Sequence, residues 1–77
     1  MKVTVEDTQL IGKIARAVRK QQKIRQDDLG EMIGSSPRFV GEVEKGKSTA
    51  EIGRVLKLLT ELGIVIELDL PCDIDLD

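Results

Sequence analysis

Histidine, tryptophan and tyrosine are missing from this chain of 77 residues, and cysteine and phenylalanine occur once each. Without histidine, and with Cys72 as the only thiol, the usual zinc-ligand spacings cannot be made and no intramolecular disulfide can form. The same gap removes the familiar nucleophile and base pairs. The carboxylates are scattered along the chain, so no assembled acid/base or covalent active site is expected, and no metal or cofactor either. No apolar run approaches the roughly 20 residues of a bilayer span, and "MKVTVED" lacks the apolar core of a signal peptide. The expectation is a soluble, non-membrane protein of the reducing cytoplasm.

A single short chain of this size buries only about 60% of its unfolded surface, so one domain, stabilised by self-association, is expected. The net charge of −2 conceals an uneven distribution. Between Thr8 and Lys57 eleven basic residues face six acidic ones, a balance of +5, whereas from Leu58 onward Glu61, Glu67, Asp69, Asp73, Asp75 and Asp77 meet no base. The chain is a basic body with an acidic tail, a pattern that fits either a polyanion partner or two ordinary solvated faces.

Helical spacing governs most of the body. Leu10, Ile11, Ile14, Ala15 and Val18 recur on one side of a first helix capped by Asp7 or Thr8 and running to about Gln22. A second helix starts near Gln26, carries Asp27 and Asp28 where the helix dipole favours carboxylates, turns Leu29 and Ile33 inward and ends at Gly34. Ser36 as N-cap and Pro37 at the first helical position open a third, with Val40 and Val43 inward and Gly46 as its stop. "STAE" at Ser48–Glu51 has the form of a capping box for a fourth helix, whose apolar face is Ile52, Val55, Leu56, Leu59 and Leu62, ended by Gly63. The period then changes to two. Ile64, Ile66, Leu68 and Leu70 alternate with Val65, Glu67 and Asp69, predicting one strand over 64–70 that needs a partner, either "KVTV" at 2–5 or the same strand of a second copy.

Helix, glycine turn and short helix are the spacing of a helix-turn-helix, with Gln26, Leu29, Gly30, Ile33, Gly34, Val40 and Val43 at the matching offsets. Through "IRQDDLGEMIGSSPRFVGEVEKGKST" and its flanking helices, roughly residues 9–62, the chain resembles the Xre family of phage-repressor and Cro-like DNA-binding domains. The resemblance implies an all-α, lambda-repressor-like fold of four to five helices, with a short C-terminal β-strand pairing across a dimer. It divides the chain into an N-terminal arm (1–7), a helix-turn-helix domain (8–63), a dimerisation strand (64–70) using Ile64, Ile66, Leu68 and Leu70, and an acidic tail (71–77).

The resemblance makes Ser36 to Lys45 the recognition helix and double-stranded DNA with a palindromic operator the partner. On a 100° helical wheel Pro37, Arg38, Gly41 and Glu42 fall opposite Val40 and Val43, with Phe39, the only aromatic, on a flank. Arg38 can bridge guanine O6 and N7; Glu42 can accept from cytosine N4 or hold Arg38; Gly41 either admits close DNA approach or fits its neighbours; Phe39 either meets thymine methyls or packs as a flank residue. By matching position Gln26, Ser36, Lys45 and Lys47 contact phosphate, the lysines being otherwise plain loop residues, and Arg19 pairs with Glu44 as scaffold. At Pro37 and Arg38 many family members carry glutamines that read adenine, so the operator sequence does not carry over from them.

The strand placed after the last helix, with the "EKGK" to "ELGI" spacing, is similar to the HipB-type antitoxins. That similarity implies a homodimer that represses its own operon and holds a HipA-type kinase toxin. The acidic segment after Pro71 then either docks on a basic toxin surface or serves solubility alone. A plain Xre-type regulator, and a protein-binding adaptor on the same fold, are the competing expectations.

Overall fold

The Asp7 carboxylate accepts a hydrogen bond from the Leu10 backbone N–H at 2.8 Å and starts α1, Thr8–Gln21. This satisfies one of the donors that every helix start leaves free. The computed structural model describes residues 1–76 and contains α1, α2 (Gln26–Met32), α3 (Pro37–Glu44) and α4 (Ile52–Glu61). Asp77, counted above in the acidic tail, lies outside the described residues. The fold is an all-α helix-turn-helix.

The turn between α2 and α3 depends on two glycines for different reasons. Gly34 has a φ of 67°, a left-handed conformation that side chains disfavour. Gly30 lies against the start of α3, where an added Cβ would stand 2.8 Å from the Ser36 carbonyl carbon. The approach is closer than an alanine accommodates without movement. Ser36 then accepts from the Phe39 N–H at 3.1 Å, and Pro37 occupies the first turn of α3.

Ala15 of α1, Leu29 and Ile33 around α2, Val40 and Val43 of α3, and Leu58, Leu59 and Leu62 at the end of α4 form one buried aliphatic core. α1 crosses α3 at Gly12, where a Cβ would fall 2.4 Å from the Val43 carbonyl oxygen. At the far end Gln22 Nε2 donates to the Leu62 carbonyl at 2.8 Å and ties α1 to the end of α4.

α4 departs from the sequence pattern at its start. Ser48–Ala50 forms a turn, the N-cap is Glu51, and no side chain caps the helix, so the "STAE" box is not used. Leu58 is fully buried while Ile52 is 73% exposed and Leu56 43%. At 100° per residue, Leu58, Leu62, Val55 and Leu59 span an arc of about 100°, with Ile52 and Leu56 roughly 20° and 60° beyond it. They form an apolar shoulder next to the core.

Gly63, with a φ of 81°, ends α4, and the Ile64 N–H bonds back to the Leu59 carbonyl at 2.9 Å. Ile64 packs against the core. Beyond it the strand expected over 64–70 does not form in the single chain, and among the described residues there is no β-ladder. "KVTV" is tied to this segment through the Lys2 to Glu67 ion pair at 3.1 Å, a side-chain contact and not a ladder. The physical reason is the one that required a partner from the outset: an extended segment forms a ladder only against a second row of backbone groups.

Candidate nucleic-acid interface

Two polar clusters are organised around α3, one inside and one outside. Inside, Arg19 Nε and Nη2 donate to the two Glu44 carboxylate oxygens at 2.6 and 3.0 Å, and Arg19 Nη1 donates to the Ile24 carbonyl at 2.8 Å. Gln26 Nε2 adds a bond to Glu44 Oε1 at 3.0 Å. Arg19 and Glu44 are both buried. Burial pushes the Glu44 carboxyl up, but the bonds from Arg19 and Gln26 and the Arg19 charge outweigh it and hold the group below its ordinary value. The cluster fixes α1, the start of α2 and the end of α3 in one frame.

This arrangement gives Gln26 a structural task that sequence matching does not show. Its amide nitrogen is directed at Glu44, so any phosphate contact by Gln26 falls to its remaining groups. The Ser36 hydroxyl likewise accepts the cap bond from Phe39 and keeps its own proton free to donate.

Outside, Arg38 projects from the first turn of α3 with its side chain 88% exposed. Glu42, one turn on, lies 3.9 Å from Arg38 Nε and accepts from Lys47 Nζ at 3.0 Å. Pro37 and Lys45 are exposed, and Gly41 is half-buried in open surroundings, where an added Cβ would meet only the Gln26 amide, at 3.9 Å. Arg38, Glu42 and Lys47 therefore stand together. The loop carrying Lys45 and Lys47 is held by Thr8 Oγ1, which donates to the Gly46 carbonyl at 2.7 Å, and by the close approach of Gly46 to Gln9.

Phe39 is half-buried and packs against the core, with the Arg54 guanidinium 6.0 Å from its ring centre. Arg54 was not singled out by the sequence. A helix begun at the Ser48–Glu51 box would put it in the second turn, and only the observed start at Ile52 brings it into the first.

Ile64 is partly covered by the core, whereas Ile66, Leu68 and Leu70 are exposed. Ile52 and Leu56 of α4 are exposed as well.

A helix-turn-helix family model matches residues 16–67. The chain belongs to the helix-turn-helix family. The family is one of DNA-binding transcription regulators and not an enzyme class. The uncharacterized HTH-type transcriptional regulator y4mF of Sinorhizobium fredii (strain NBRC 101917 / NGR234) is 46% identical over 61 residues, covering 79% of this chain and 80% of that protein. Among solved structures, a HipB-O4 20mer complex matches with a TM-score of 0.82 at 17% identity, and a HipA-HipB-O2-O3 complex with 0.83 at 17% identity. Each covers 92% of this chain and 100% of the matched chain. At that identity the likeness is one of fold. Among the described residues of this helix-turn-helix protein no helix is long and apolar enough to cross a membrane.

Proposed function

We propose that this helix-turn-helix protein is a sequence-specific autorepressor that binds a palindromic operator as a two-fold dimer and serves as the antitoxin of a HipA-type kinase. The observation that carries the DNA reading is Arg38: a guanidinium at the N-terminal end of α3, 88% exposed, on a helix whose inner face and far end are locked by the core and by Arg19–Glu44. In this reading α3 enters the major groove. Arg38 reads guanine, Pro37 and Gly41 permit close approach, Phe39 supports the helix from its flank, and Ser36, Lys45, Lys47 and the start of α2 at Gln26 meet phosphates.

The dimer is supported by the unpaired 64–70 segment and by the exposed side chains of Ile66, Leu68 and Leu70. A second copy supplies the missing ladder and covers this apolar surface. The toxin reading is supported by the fold shared with HipB in its complexes and by the exposed acidic segment after Pro71. A regulator acting without a toxin is the second reading; the name of y4mF, an HTH-type transcriptional regulator, supports the regulator part alone.

One purification separates these. With a tag at the N-terminus and the acidic tail free, isolation from the native host under mild salt yields a stoichiometric kinase-like chain if the antitoxin reading holds, and a homodimer alone if it does not. DNA affinity that fails to fall steeply with salt would sink the phosphate contacts and favour a protein-binding adaptor.

A further inference from the structure

The outer cluster on α3 places one carboxylate between the two cations assigned to DNA. Glu42 accepts from Lys47 Nζ at 3.0 Å and lies 3.9 Å from Arg38 Nε, so in the free chain it engages both. The Lys47 hydrogen bond, opposed by partial burial and reinforced by the charges of Lys47, Arg38 and Lys45, holds the Glu42 carboxyl below its ordinary value. It is ionised at neutral pH. A phosphate that reaches Lys47 must share the ammonium with Glu42 or displace it, and in either case it meets a carboxylate of its own charge sign.

Resting on the DNA-binding reading above, we infer that Glu42 is a specificity-determining residue that competes internally with phosphate for Lys47 and Arg38. Arbitrary duplex loses binding because its phosphates are brought up to the carboxylate without offering it a partner. A site that presents the N4–H of cytosine to Glu42 satisfies it, and there Lys47 and Arg38 are freed together. The residue thus suppresses phosphate-only binding more than operator binding.

The test compares Glu42→Gln with the unsubstituted protein on random-sequence duplex between about 50 and 200 mM salt. Glu42→Gln binds about 3- to 10-fold more tightly at the low end, with a log–log salt slope steeper by about 0.9, the value of one added phosphate contact. Adding Lys47→Ala to Glu42→Gln removes that gain. In selection from a pool of random duplexes, the Glu42→Gln protein loses the preference for cytosine at one position. Circular dichroism of both variants, unchanged in helix content, assigns the effect to the interface. Equal affinity and slope for Glu42→Gln overturn the inference and leave DNA binding standing; so does a gain that survives Lys47→Ala, or an unaltered base preference. Absence of salt-dependent binding by the unsubstituted protein overturns both.

Discussion

Glu44 is a carboxylate in an aliphatic interior, stabilised by three donors from two other parts of the chain. Its pKa is lowered on folding, so its contribution to stability is fully present above the unfolded value, about 4.3, and is lost as pH falls through the lower folded value. Replacing Glu44 by Gln leaves the Arg19 charge buried without its counter-charge. Urea titration at neutral pH is expected to show a loss of about 3–5 kcal/mol, and the acid-induced weakening of the native protein should be reduced in the variant. Two glycines give opposite forecasts at the same scale. Gly12→Ala forces a Cβ into the Val43 carbonyl and should cost about 1–3 kcal/mol in the same titration. Gly41→Ala meets nothing nearer than the Gln26 amide at 3.9 Å and should leave stability intact. If Gly41→Ala nevertheless weakens DNA binding, close approach to the groove is its task; unchanged binding assigns it to fit alone.

The helices differ in how far local sequence specifies them. α1 and α3 carry their starts in their own residues, Asp7 bonded to Leu10 and Ser36 to Phe39, and these caps were visible as residue types. α4 has no such cap. Its beginning is set by the turn after Gly46 and by which leucines the core admits, so the apparent box at Ser48–Glu51 does not mark it and the core takes Leu58 in place of Ile52 and Leu56. The periodic stripe was legible, but its centre was displaced because a helical wheel does not say where the neighbouring helices stand. On α3 the outward set was legible for the same geometric reason that Val40 and Val43 had to be inward. Arg38→Ala is expected to lower affinity for the selected site by about 1–3 kcal/mol and to relax base preference at one position, measured by competition with random duplex. Equal losses on both DNAs would assign Arg38 to phosphate.

For the whole molecule the open matter is the surface left apolar once the four helices have packed. Ile66 and Leu68 are exposed on a segment with no ladder, and Ile52 and Leu56 add a shoulder on α4. Replacing both Ile66 and Leu68 by Asp should shift sedimentation from dimer to monomer at micromolar concentration and, because two half-sites bind together only through a dimer, reduce operator affinity more than random-duplex affinity. A monomeric unsubstituted protein in the same run would remove the two-fold reading.

The spacing of glycines, caps and aliphatic residues by itself determined a helix-turn-helix, because chain reversal, helix initiation and burial at 3.6-residue spacing each demand particular residue types at short separations. Only the tertiary structure decided that Gln26 turns to Glu44 and that Arg54 covers Phe39. Those contacts depend on the angle and distance between helices, which packing of the Ala15, Leu29, Val40 and Leu58 core sets and which no short stretch of sequence encodes.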